Sequence, residues 1–239
     1  MNNLDELRQY YEKHKQETQE FLKKCADSGR SDDAKELFKF LCCNLLASQA
    51  KWETVERAVD HLDDTNRLFD GDPASIQEGL KNSGYGSPNN KEKARWLHKA
   101  RQRFCDDGCE IGIVDFVHML GIQCGKDPIR WRNLLADPSR DNHILGLGMK
   151  EASHFLRGLG FSHNQLAILD SVVLGQLECF GVVEIEKKPG RKKREGLTKK
   201  TYLAIEGKVK DWADNVVSIP LDGLDWLLWK LGRGNGHAC

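Results

Sequence analysis

The run from His143 to Ser171, HILGLGMKEASHFLRGLGFSHNQLAILDS, sets the strictest conditions on how this chain folds. It begins with an apolar turn, Gly146-Leu147-Gly148, flanked on both sides by helical periodicity. Two glycines around one aliphatic residue allow a sharp turn and a close approach to another surface, because neither carries a Cβ. The helix that follows directs its free N–H groups and the positive end of its dipole past the turn. An anion is the natural occupant of that position, and a nucleic-acid phosphate fits it.

Lys150 falls in the first turn of that helix, where the dipole disfavours a cation. It reads either as a tolerated surface lysine or as an amine whose pKa the dipole and partial burial lower. A neutral amine of that kind attacks electrophilic carbon. Twenty residues later Asp170 ends the apolar run Leu166-Ala167-Ile168-Leu169. A carboxylate there is either a helix N-cap or a positioned catalytic group, since aspartate is rarely buried without a partner.

These residues carry a family resemblance. Gly-Leu-Gly-Met-Lys-Glu-Ala-Ser-His-Phe-Leu-Arg over 146–157, followed by Leu-Ala-Ile-Leu-Asp over 166–170, resembles the helix-hairpin-helix DNA glycosylases with associated lyase activity. Within them the chain is most similar to the small archaeal-type 8-oxoguanine DNA glycosylases. The resemblance implies an all-α fold with two helical domains flanking a cleft. The expected division is a helical barrel over 46–162, ending in the hairpin, and a second domain from 1–45 and 163–239.

The resemblance also implies roles. Lys150 is the nucleophile that attacks C1′ of the damaged nucleoside, and Asp170 stabilises the oxocarbenium character that develops at the sugar. Gly146, Leu147 and Gly148 anchor the DNA backbone. Trp229 matches a tryptophan that stacks on the extruded purine, and Asp225 faces the same side one turn earlier. Gln49 is a candidate to fill the gap in the duplex, and Lys91 a candidate DNA contact; simple solvation is the competing reading for Lys91 and for Lys93. The implied activity is a bifunctional glycosylase and AP lyase for 8-oxoguanine, working through a lysine Schiff base and β-elimination.

Three features depart from the family pattern. Ser171-Val172 follow Asp170 where Arg-His is usual, and the loop Phe161–Gln165 is about two residues longer. The small archaeal-type enzymes use a final lysine in purine recognition, whereas this chain reads Gly232-Arg233-Gly234-Asn235-Gly236-His237-Ala238-Cys239. The last of these bears on the choice of base. Two rivals therefore stand beside the main reading: the same fold acting on a different damaged base, and a non-catalytic module that binds duplex DNA or senses lesions.

Charge is informative only locally. Lys+Arg and Asp+Glu are 36 each, but residues 187–210 hold ten Lys and Arg against Glu195 and Glu206, a local +8. Residues 51–80 hold eight acids against three bases, a local −5. Such asymmetry suits one face to a polyanion, although a solvated basic loop over 187–197 explains the first run equally well. No apolar run reaches the ~20 residues of a membrane span, and the start lacks a signal peptide's basic and apolar regions. Eight unevenly spaced cysteines read as free thiols in a reducing compartment.

The expectation is an intracellular monomer, in cytoplasm and nucleoid or in a nucleus, that binds double-stranded DNA containing a damaged base without a membrane. No cofactor or metal is expected. Only Cys179 and Cys239 follow Asp170, too few for an iron–sulfur cluster. Cys105, Cys109, His118 and Cys124 have poor spacing for zinc.

Periodicity and cap residues predict helices near 4–26, 31–46, 52–64, 73–82, 91–106, 111–120, 128–135, after the hairpin, after Asp170, from Thr198 and from Pro220. Strand-like character is confined to Val182-Val183-Glu184-Ile185.

Overall fold

The computed structural model describes residues 4–48, 50–106, 109, 111–184 and 197–234. Twelve α-helices account for most of them: α1 Leu4–Ser28, α2 Ala34–Leu46, α3 Trp52–Asp64, α4 Arg67–Asp70, α5 Pro73–Asn82, α6 Asn90–Phe104, α7 Ile113–Cys124, α8 Pro128–Ala136, α9 Met149–Gly158, α10 Ser171–Cys179, α11 Lys199–Trp212 and α12 Leu221–Gly234. A π-helical turn, Ala213–Val217, joins the last two. The fold is all-α. Val182 and Val183 form no strand, and no strand occurs among the described residues. Val183 is instead buried among helices, with no partner edge to complete a ladder.

Short polar side chains start the helices by taking up orphan N–H groups. Asp72 and Asp127, each followed by proline at the first helical position, accept from Ser75 N at 2.7 Å and Arg130 N at 2.8 Å. Thr198 does the same for Thr201 N. At α2 the cap is Asp33, which accepts from Glu36 N, and not Ser31. Ser31 instead accepts from Asp33 N and holds the cap in place.

Buried apolar side chains form two clusters. The first draws on residues between Leu37 and Leu166, and the second on Leu7 and residues from Ala167 to Leu228. The helix α2, expected with the chain ends, contributes Leu37, Phe38, Leu41, Leu45 and Leu46 to the first cluster, because its apolar stripe faces α6 and α9. Consecutive residues Leu166 and Ala167 belong to different clusters, so the non-helical segment before α10 is where the chain crosses from one to the other.

A buried ion pair ties the two together. Arg132 on α8 is fully buried and donates in parallel to both carboxylate oxygens of Glu206 on α11, 2.8 Å each. Glu206 also accepts from Ala167 N at 3.0 Å, and Arg132 donates to Ser153 Oγ of α9 at 3.2 Å. The Tyr202 hydroxyl donates to Ala167 O. Four elements thus meet on one satisfied polar network at the crossing segment.

Six described cysteines are free thiols, but Cys179 is disulfide-bonded, so the expectation of free thiols throughout fails there. No described helix is long and apolar enough to cross a membrane.

Removing one member of a buried ion pair leaves an uncompensated charge, whereas replacing both with apolar groups costs far less. Glu206→Gln is therefore expected to lower unfolding free energy by about 3–5 kcal/mol. The double variant Arg132→Met, Glu206→Leu should lose much less, as read from urea denaturation midpoints.

Candidate active site

The hairpin is held from below. Ile144 N donates to Leu135 O at 3.1 Å and Leu147 N to Ile144 O at 3.0 Å, closing the turn onto the end of α8. Gly146 has φ +98°, and a Cβ there would lie 2.6 Å from ring atoms of Trp96. Both the left-handed backbone and the packing against α6 require glycine at this position. Leu147 is buried beneath the turn, and Leu145 is exposed beside it. Gly148 is the N-cap of α9 and offers no side chain, so the first-turn N–H groups of α9 receive no side-chain cap.

From this turn α9 carries Lys150 into a cavity of about 390 Å3 whose wall also contains Asp170, Asp225, Trp229, His154 and Trp52. Four of the residues singled out from sequence, Lys150, Asp170, Asp225 and Trp229, converge here from three elements. A cavity of this size is within the ordinary range for small-ligand sites.

Each polar group in the wall is positioned by a neighbour. Lys150 Nζ pairs with Glu151 Oε1 at 3.0 Å, and both side chains are largely covered. Asp170 is the N-cap of α10: its Oδ1 accepts from Val172 N and Val173 N, 2.8 Å each. Its Oδ2 has no hydrogen-bond partner among the described residues and remains available in the cavity. The two sequence readings of Asp170 are thus not exclusive, since the cap fixes one oxygen and aims the other.

Asp225 on α12 is ion-paired with Arg157 of α9, while its Oδ1 is sealed from solvent without a partner. Burial pushes its carboxyl up to about 7, against the opposing pull of Arg157; the nearby negative charges of Asp170 and Asp222 add to the rise. Trp229 is partly exposed at the cavity wall, with the Arg233 guanidinium 4.4 Å from its ring centroid. Arg233 in turn pairs with Glu53 at the start of α3, 2.7 Å away.

His154, one turn after Lys150, donates from Nδ1 to Asn44 Oδ1 at 2.7 Å and packs on Trp52 with ring centroids 4.9 Å apart. Burial pulls its pKa down to about 3, with the positive charges of Arg157 and Lys150 adding to the shift. Sequence inspection missed this residue and the Arg157–Asp225 and Arg132–Glu206 pairs, because their partners lie 68 to 110 positions away.

The remaining sequence candidates fall differently. Lys91 is exposed in the first turn of α6 and is not part of the cavity wall. Lys93 is not solvated as expected: it is 2% exposed and donates to Leu46 O at 2.9 Å, to Ser48 O and to the Tyr85 hydroxyl. Its ammonium gathers the carbonyls at the end of α2, and burial pulls its pKa down to about 8. It thereby ties down Leu46 and Ser48 on either side of Ala47, which faces the cavity. Gln49 lies outside the described residues, as do most of the basic loop 187–197 and residues 235–239. Among the described residues no three His, Cys, Asp or Glu side chains are grouped to hold a metal.

Comparison with known proteins gives one consistent answer. A family model described as 8-oxoguanine DNA glycosylase matches residues 14–218. The chain is 30% identical over 231 residues to an 8-oxoguanine DNA glycosylase/AP lyase of Fusobacterium nucleatum, covering 97% of this chain and 95% of that protein. In fold it is similar to the Methanocaldococcus jannaschii 8-oxoguanine glycosylase/lyase, solved with a DNA 15mer containing 8-oxoguanine. The TM-score is 0.72 at 23% identity, covering 96% of this chain and 98% of that one. It is likewise similar to the 8-oxoguanine DNA glycosylase of Thermotoga maritima, with TM-score 0.73 at 24% identity, covering 97% and 96% of the two chains.

The depressed pKa of His154 has a thermodynamic consequence. Between about pH 3 and 6.5 the unfolded chain holds a proton on this ring that the folded chain does not, so stability falls as pH drops through that window. Unfolding between pH 4 and 6 is expected to take up about one proton more in the wild type than in His154→Phe. The slope of melting temperature against pH measures the difference.

Proposed function

The chain belongs to the helix-hairpin-helix 8-oxoguanine DNA glycosylase family, and from that premise we propose that it is a bifunctional glycosylase and AP lyase that removes 8-oxoguanine from double-stranded DNA. The observation that carries the reading is the meeting of Lys150, Asp170, Asp225 and Trp229 on one cavity beside the glycine hairpin.

The hairpin takes the duplex by its phosphates. The uncapped N–H groups at the start of α9 point outward from Gly148, and phosphate oxygens are their natural acceptors. Lys91, exposed at the positive end of α6, is a candidate for a further backbone contact. The damaged nucleotide leaves the stack and enters the cavity, where Trp229 offers a face for the purine and Asp225 lies one turn away.

Inside, the amine of Lys150 attacks C1′. The bond from C1′ to the base breaks, and its electron pair leaves with the base, which takes up a proton. Positive charge gathers on the sugar as this bond stretches, and the free oxygen of Asp170 is placed to face it in the cavity. Opening of the sugar ring gives the Schiff base between Lys150 and C1′. Loss of a C2′ proton then expels the 3′ phosphate and cuts the strand. Lys150, Asp170, Asp225 and Trp229 all come from one chain, and we read the active form as a monomer.

Lys150→Gln should abolish borohydride trapping on 8-oxoguanine duplex while DNA binding stays within a few-fold of wild type. Trapping that persists in Lys150→Gln would assign the nucleophile to another amine. Asp170→Asn is expected to slow base release by about 10²-fold or more while binding changes little, as measured in single-turnover assays. Wild-type protein that is silent on 8-oxoguanine yet cuts another modified base in a lesion panel would replace the substrate named here.

A further inference from the structure

We propose that Arg103, on α6, is the positioning residue of the DNA-anchoring hairpin: its guanidinium fork holds the carbonyls of Asp141 and His143 away from the duplex, so that N–H groups face the phosphates. The inference rests on the function proposed above and deepens it. It begins from how little backbone structure the hairpin has of its own.

Residues 137–148 join α8 to α9 without helix. The backbone hydrogen bonds that shape this segment run from Arg140 N to Asp137 O, His143 N to Arg140 O, Ile144 N to Leu135 O and Leu147 N to Ile144 O. None of them uses the oxygen of Asp141 or of His143. One side chain meets both: Arg103 Nη1 donates to His143 O at 2.5 Å and Nη2 to Asp141 O at 3.2 Å. A rigid planar fork suits two acceptors so spaced, which a single ammonium would serve one at a time.

The fork is itself fixed. Cζ of Arg103 lies 5.1 Å from the ring centroid of Phe104 and 5.9 Å from that of Phe116, and both rings are buried in the first apolar cluster. Trp96 lies two turns earlier on the same face of α6. It packs on Gly146 so closely that a Cβ there would meet its ring at 2.6 Å. The helix α6 thus grips the hairpin twice, on its first limb through Arg103 and at its tip through Trp96. The guanidinium is also felt at His143, whose pKa is lowered by burial and then by the charge of Arg103.

Electrostatics gives the grip its purpose. A peptide oxygen repels a phosphate and a peptide N–H attracts one. Carbonyls without a partner turn toward water, and water here is where the duplex arrives. Tied to Arg103, those of Asp141 and His143 face α6 instead, and the N–H groups that follow Gly148 are left to meet the backbone. Arg103 is not in the cavity wall, so its influence covers every duplex alike and leaves the chemistry at Lys150 alone.

The test compares dissociation constants for undamaged and 8-oxoguanine duplexes in the non-cleaving Lys150→Gln background. Arg103→Gln should weaken both by about tenfold, with their ratio unchanged. Arg103→Lys keeps the charge without the fork and should not restore affinity. In both variants the slope of log affinity against log salt should match wild type, because no cation–phosphate contact is lost. With Lys150 restored, single-turnover excision at saturating protein should stay within about twofold of wild type.

Unchanged affinity in Arg103→Gln overturns the proposal. Full recovery in Arg103→Lys, with a salt slope smaller by about one in Arg103→Gln, also overturns it and makes Arg103 a direct phosphate contact. A single-turnover rate that collapses along with affinity overturns it too, and leaves Arg103 a support of the whole fold. A wild type that binds no duplex DNA removes the function reading itself. A wild type that binds and excises 8-oxoguanine, matched in affinity by Arg103→Gln, removes only this inference.

Discussion

The buried pair of Arg132 and Glu206 is the constraint on which the site rests. Two charges are taken out of water here, and the arrangement is tolerable because every direction around them is used: two parallel hydrogen bonds between the charges, one to Ser153, one from Ala167 N. The result reaches beyond the pair. Ala167 opens the four-residue stretch that ends at Asp170, and Ser153 lies on the helix that carries Lys150 and His154. The amine and the carboxylate thus refer to the same rigid point, although they arise from opposite sides of the chain's crossing between its two apolar clusters.

The charges that line the cavity are graded by how they are paired. Lys150 is held by the adjacent Glu151, an arrangement that keeps the amine at the mouth of the hairpin. Asp170 spends one oxygen on its helix and keeps one. Asp225 is buried against Arg157, and burial, with the neighbouring carboxylates adding to it, resists its ionisation. The wall thus combines aromatic faces with charged and hydrogen-bonded groups. That suits a site which must accept a polar base, release it, and stabilise a cationic sugar between the two events.

Several of these features were legible from residues alone. Asp72-Pro73 and Asp127-Pro128 announced their helices because cap chemistry is local, decided by atoms within three residues. Gly146 could be read as obligatory for the same reason, though the Trp96 ring that enforces it comes from α6. Lys93 illustrates the limit. In sequence it is one cation in a charged stretch beside Lys91, and the two differ only in which side of α6 they occupy. Burial of Lys93 is set by three oxygens from α2, its following loop and Tyr85, none of which its own neighbours in sequence disclose.

The sequence by itself determined the helical class and the hairpin and singled out Lys150 and Asp170 as candidates, since each reading depends on short-range periodicity, turn chemistry or a contiguous motif. Only the tertiary structure decided which polar groups would be desolvated and whom they would face. It placed α2 with the first cluster, locked the His154 ring through Asn44, and set Arg157 against Asp225. Those outcomes depend on contacts between residues distant in the chain, where desolvation and hydrogen-bond geometry act only after the helices have packed.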